Sequence, residues 1–73
     1  MDSISASEIH NRDGKGAFQS ENYSAAYRHY SFAIEVANPK CAKYYLNRAR
    51  TNLKMNQYMF AYEDAEEALT LDP

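Results

Sequence analysis

Tyr23-Ser24-Ala25-Ala26-Tyr27-Arg28-His29-Tyr30-Ser31-Phe32-Ala33-Ile34 and Tyr58-Met59-Phe60-Ala61-Tyr62-Glu63-Asp64-Ala65-Glu66-Glu67-Ala68-Leu69 are two copies of one pattern. A shift of about 35 residues lays Tyr23 on Tyr58, Ala26 on Ala61, Ala33 on Ala68 and Ile34 on Leu69. Carried towards the N-terminus, the same shift lays Gly14 on Ala49 and Phe18 on Leu53. Ala26 and Ala33 in the first copy, and Ala61, Ala65 and Ala68 in the second, share one face of a helix, where small side chains let a second helix approach closely.

Punctuation around these stretches divides the chain into four helices. Ser5-x-x-Glu8 is a capping-box pattern that starts a first helix running to about Ser20. Asn22 is placed to cap a second, running to about Val36. Asn38-Pro39 pairs a capping residue with a proline at the first helical position, so a third helix is expected from there to about Met55. Asn56 is the expected cap of a fourth, which ends near Leu71 because Pro73 does not continue it. The expected fold is all-α: two tandem helix-turn-helix hairpins forming a fragment of an α-solenoid. Residues 1–73 are read as one domain, with repeat one at about 5–37 and repeat two at about 38–73.

With 73 residues the chain has room for a modest core, and its 45% hydrophobic and 25% charged residues exclude a disordered tail. Seven tyrosines at helical spacings read as packing residues, most of them half-buried with the hydroxyl reaching water. Cys41 is the only cysteine, so no internal disulfide is expected and the cytoplasm is the default compartment. The N-terminus shows neither a basic nor an apolar signal region, and no apolar run is long enough to span a bilayer. Asn22-Tyr23-Ser24 fits the glycosylation pattern, but Asn22 is read as a helix cap.

Gly14-Lys15-Gly16-Ala17-Phe18, Asn22-Tyr23-x2-Ala26-x3-Tyr30-x2-Ala33-Ile34, Tyr44-Tyr45-Leu46-Asn47-Arg48-Ala49 and the tail Ala65-x2-Ala68-Leu69-x-Leu71-Asp72-Pro73 resemble the tetratricopeptide repeat family over nearly the whole chain. Departures fall mainly in repeat one, where His10 and Asp13 stand at positions usually aromatic and aliphatic in the family. Asn47-Arg48-Ala49 with Asp64 is similar to the co-chaperone subgroup, whose domains grip acidic C-terminal peptides of heat-shock chaperones through a carboxylate clamp. That resemblance implies a clamp asparagine at Asn47. The subgroup's first-repeat lysine and asparagine stand here in reverse order, as Asn11 and Lys15.

The charges point the same way by a separate route. The third helix carries Lys40, Lys43, Arg48, Arg50 and Lys54 and no acid, whereas the fourth carries Glu63, Asp64, Glu66 and Glu67 and no base. In a stacked array the first helix of each hairpin lines the concave groove, so Lys15, Lys43, Arg50 and Lys54 are placed to meet an acidic peptide. The other reading is that the opposite charges pair between adjacent helices, Arg48 with Asp64 among them, and the rest is solvated. The candidate peptide-binding set is therefore Asn11, Lys15, Lys43, Asn47, Arg50 and Lys54, and the expected partner is a chaperone tail or another acidic peptide.

A competing function is structural self-association or adaptor docking through the fourth helix. Met59, Phe60, Tyr62, Ala65 and Leu69 are its candidate surface, because two repeats without a capping helix leave an apolar face open. Direct packing of fourth helices is favoured over hairpin exchange, since Pro39 opposes a continuous helix through Asn38. Nucleic acid and membrane are not expected partners: the formal net charge is −2 and no basic-aromatic recognition motif occurs. Cys41, His10 and His29 are assigned to separate elements and form neither a nucleophile-base set nor a zinc signature, so no enzyme, cofactor or metal site is expected.

Overall fold

The computed structural model describes residues 4–73 as four helices: α1 (Ala6–Gln19), α2 (Tyr23–Val36), α3 (Ala42–Lys54) and α4 (Tyr58–Leu71). Each packs on its neighbour in sequence, α1 on α2, α2 on α3 and α3 on α4, in a slab measuring 41 × 30 × 15 Å. The two helical hairpins expected from the repeat are present. Among the described residues no helix is long and apolar enough to cross a membrane.

The caps separate what the repeat dictates from what single residues do. Ser5 caps α1, its Oγ accepting from the Glu8 N–H at 3.2 Å. The reciprocal half of the capping box is replaced, because the Glu8 carboxylate is turned to α3, where it accepts from the Tyr44 hydroxyl and pairs with Lys43 at 3.0 Å. Asn22 caps α2 through Oδ1 and the Ala25 N–H at 3.3 Å. Both hairpin turns close in the same way. Glu21 N–H donates to Phe18 and Asn22 N–H to Ala17, and one repeat later Asn56 N–H donates to Leu53 and Gln57 N–H to Asn52. This double bond set needs one left-handed residue after the helix, supplied by Glu21 and Asn56, both at φ 61.

Two expected helix starts are corrected. Asn56 is not the cap of α4: it occupies the left-handed position that asparagine tolerates, and its side chain accepts from the Tyr58 hydroxyl at 2.8 Å. Gln57 takes the cap position without a side-chain bond. Nor do Asn38 and Pro39 begin α3. They lie in the bend after α2, with a cis peptide between them, and α3 starts at Ala42 behind Cys41, which makes no capping bond. Ala42 falls close to one repeat after Ala6, the start of α1, so the packing period and not the proline sets where this helix begins.

The core is small side chains facing aromatic ones. Ala26, Tyr30, Ala33, Tyr44, Tyr45, Ala49, Ala61 and Ala68 are buried. Three tyrosines are therefore wholly packed, Tyr23 and Tyr27 are half-buried, and Tyr58 and Tyr62 are exposed, so half-burial, expected of most of the seven, holds for two. At Gly14 the two helices of repeat one come so close that an added Cβ would lie 2.6 Å from Tyr30 Cε1. His10 stacks on His29 at 6.1 Å between centroids and lies 5.3 Å from Phe32, joining α1 to α2, with both Nδ1 atoms buried and unpartnered.

Arg48 links three helices. Its Nε donates to Asp64 Oδ2 at 2.9 Å and its Nη2 to Oδ1 at 2.7 Å, the pairing expected from the sequence, while Nη1 reaches Ser31 Oγ at 3.2 Å. Asn52 Nδ2 donates to Asp64 Oδ2 at 3.0 Å. The guanidinium lies 5.7 Å from the Tyr27 ring centroid and 5.8 Å from that of Tyr45. Asp64 beside it holds Arg48 above the ordinary arginine range.

These contacts make three predictions. Gly14→Ala loses about 1–2 kcal/mol in chemical denaturation, since the overlap with Tyr30 outweighs the helix propensity gained, whereas Gly16→Ala, which meets open space, gains up to about 1 kcal/mol. Asp64→Ala strands Arg48 and costs about 3 kcal/mol, out of a total of roughly 4–11 kcal/mol for a chain this size. The double variant Arg48→Met/Asp64→Leu recovers most of that loss. The third concerns Glu8, whose carboxyl is held below its ordinary value by the Tyr44 hydroxyl first and by Lys43 second. A depressed carboxylate contributes stability above its unfolded pKa and loses it as pH falls through the folded value. The stability difference between wild type and Glu8→Gln therefore shrinks on acidification below about pH 5, measured by urea denaturation across pH.

Candidate peptide-binding groove

α1 and α3 lie side by side on one face of the slab, and their repeat-related positions bring Lys15, Asn47 and Arg50 to one open depression of about 140 Å³. Phe18, Gln19 and Tyr30 complete its wall and floor. Tyr30 is only 3% exposed, and burial pushes its phenol up against a smaller opposing pull from Arg50. The depression thus has an aromatic base and a rim of two cations with a carboxamide between them.

A chain of side chains orients Asn47. Its Nδ2 donates to Asn11 Oδ1 at 2.8 Å, and its Oδ1 accepts from Arg50 Nη1 at 3.4 Å. One amide hydrogen of Asn47 remains for a ligand. Among the described residues neither Lys15 nor Arg50 makes an ion pair, so both keep their charge free for a bound anion.

The six residues expected to bind peptide are not equivalent. Lys15, Asn47 and Arg50 converge. Asn11 is 1% exposed and bonds Asn47, so it orients that side chain and offers little surface of its own. Lys43 is held by Glu8, which raises its pKa, and lines a different depression with Ala42, Leu46, Ala65, Ala68, Leu69 and Asp72. Lys54 is exposed in the last turn of α3, outside the cluster. Phe18, Gln19 and Tyr30 were not in the expected set. Phe18 and Tyr30 were visible as repeat positions, but a packing residue declares itself as a groove wall only when the neighbouring helix is in place.

The expected self-association surface divides as well. Tyr62 and Ala65 line an apolar groove between α3 and α4 with Leu46, Ala49, Leu53, Tyr58 and Ala61, and Leu69 continues it beside Ala65. Phe60 instead lines a dent with Tyr27, Asn52, Met55 and Gln57, and Met59 is 73% exposed about a quarter-turn from the groove side of α4. Helical geometry separates them, since Tyr58, Tyr62, Ala65 and Leu69 follow a spacing of three and four and the other two do not. Among the described residues no group of three or more His, Cys, Asp and Glu is arranged to hold a metal ion.

No family model matches the chain, and no solved structure matches it significantly. Several curated proteins are similar. The Protein SGT1 homolog of Oryza sativa is 36% identical over 73 residues, covering 100% of this chain and 19% of that protein. Hsp70-Hsp90 organizing protein 1 of Glycine max is 40% identical over 60 residues, covering 82% of this chain and 10% of its own length. Small glutamine-rich tetratricopeptide repeat-containing protein 2 of Saccharomyces cerevisiae is 38% identical over 60 residues, 82% of this chain and 17% of its own. The chain thus spans less than a fifth of the length of these relatives. The recurring pattern, the two hairpins closed by identical turns and the likeness to these proteins are together consistent with two tetratricopeptide-like repeats.

Proposed function

We propose that the chain is a protein-interaction adaptor that holds the acidic C-terminal end of a partner, a chaperone tail being the leading candidate, in the groove between α1 and α3. The observation that carries this reading is the convergence of unpaired Lys15 and Arg50 on either side of Asn47, over Phe18 and Tyr30. A terminal carboxylate accepts from the free Asn47 N–H and from one cation, a side-chain carboxylate accepts from the other, and an aliphatic residue between them rests on the aromatic floor. Asn11 keeps the Asn47 amide turned to the groove. The name Hsp70-Hsp90 organizing protein attached to one relative agrees with chaperones as the source of the tail. The role requires binding alone, without chemistry or cofactor, and the cytoplasm supplies both such chaperones and the reducing conditions that suit free Cys41.

A peptide ending in Glu-Glu-Val-Asp, titrated into the chain and followed by amide chemical shifts, tests this. Binding is expected in the range of about ten micromolar to one millimolar, weakening several-fold as salt rises because the contacts are partly exposed ion pairs. Arg50→Ala and Lys15→Ala each weaken it about five- to tenfold, whereas Lys40→Ala, whose side chain faces Glu67, leaves it unchanged. Absence of binding at millimolar peptide, or equal binding of a C-terminally amidated peptide, removes the reading.

A further inference from the structure

The three packed tyrosines differ in what their hydroxyls meet. That of Tyr44 donates to Glu8, and the Tyr45 ring lies beside the Arg48 guanidinium and does not line the groove. Tyr30 lines the groove although it is only 3% exposed, and its oxygen has no hydrogen-bond partner among the described residues. The buried side-chain nitrogens and oxygens left without a partner there are the Nδ1 atoms of His10 and His29 alone, so the Tyr30 oxygen is not sealed in: it opens into the groove. Gly14 fixes this placement. An added Cβ there would lie 2.6 Å from Cε1 and 2.8 Å from Cδ1 of Tyr30, so the α1 backbone presses on one edge of the ring and holds it at the seam of α1 and α3. One repeat later the equivalent pair is Ala49 and Ala65, which carries no hydroxyl.

Around that oxygen the groove is rich in donors. Lys15 and Arg50 are cations without an ion pair among the described residues, Asn47 keeps one free N–H, and no acidic side chain lines the depression. Burial outweighs the pull of Arg50 and keeps the Tyr30 phenol protonated, hence a donor as well. We propose, on the reading of this groove as the peptide site, that the Tyr30 hydroxyl is itself a binding group: it donates to one oxygen of the peptide α-carboxylate while Asn47 donates to the other. A carboxylate has the lone pairs to accept from both and from a cation at once. Because the ring is already fixed, the bond forms without ordering a side chain. The floor of the groove therefore selects for a charged chain end. An apolar tip covers the hydroxyl and leaves it unpaired, and a terminal amide offers one neutral oxygen in place of two charged ones.

Four dissociation constants test it: those of wild type and Tyr30→Phe for the peptide ending in Glu-Glu-Val-Asp and for its C-terminal amide, from amide chemical-shift titrations. Tyr30→Phe keeps the ring against Gly14 and is expected to melt like wild type. It binds the free-acid peptide about five- to tenfold more weakly, and the amide less than about twofold more weakly. In protein labelled with carbon-13 at tyrosine Cζ, the Tyr30 resonance moves as the free-acid peptide is added to wild type. Equal affinity of variant and wild type for the free acid overturns the proposal. So does an equal loss with both peptides, which assigns the hydroxyl to another part of the ligand. Should Tyr30→Phe not fold, a Tyr30 Cζ resonance that stays in place at saturating free-acid peptide overturns it instead. A wild type that binds neither peptide, or both equally, fails at an earlier step and removes the groove reading itself, and the proposal with it.

Discussion

The Arg48–Asp64 pair is the constraint around which the rest of the molecule is arranged. Asp64 is 6% exposed, and a carboxylate so placed is tolerable only with its oxygens satisfied, here by two guanidinium nitrogens and the Asn52 amide. Because Arg48 also reaches Ser31 and lies beside the Tyr27 and Tyr45 rings, satisfying that charge fixes α2, α3 and α4 relative to one another. A slab only 15 Å thick has few such points. Its other cross-repeat links are the Tyr44–Glu8–Lys43 cluster and the Asn47–Asn11 bond, both between α3 and α1.

Those links also set the groove. Arg48 and Asn47 are adjacent on α3, so the anchoring of one face of that helix to α2 and α4 turns Asn47 and Arg50 to the other, beside Lys15. The reversed order of Asn11 and Lys15 acquires a physical meaning here. The carboxamide takes the inner position, where it bonds Asn47 in the buried layer, and the lysine takes the outer one, where its ammonium stays hydrated and free. The cross-repeat bond and the exposed groove cations thus use successive turns of the same two helices.

The two repeats are unequal in how they are held. Repeat two has the Arg48–Asp64 pair where repeat one has Asp13 and His29, and Asp13 is exposed while His29 stacks on His10 with an unpartnered nitrogen. Repeat one depends instead on the close approach of α1 and α2 at Gly14 and on the aromatic edge of Phe18 against Tyr23, 5.3 Å between centroids. Repeat two has the tighter polar anchor and the barer outer face.

The sequence by itself determined the number of helices, their pairing into hairpins and the Arg48–Asp64 contact, because each follows from spacing: small residues at helical intervals, turn residues between them, and opposite charges on adjacent helices of one hairpin. It misplaced the starts of α3 and α4, since Asn38-Pro39 and Asn56 each have more than one local use, and the packing period chose between them. It also grouped Asn11, Lys43 and Lys54 with Lys15, Asn47 and Arg50, by charge and by resemblance to the clamp pattern. Only the tertiary structure decided that Asn11 is buried, that Glu8 claims Lys43 and that Phe18 and Tyr30 form the groove beneath the cations. Local patterns record which face of a helix is apolar, but which polar groups are already satisfied depends on the helix packed against them.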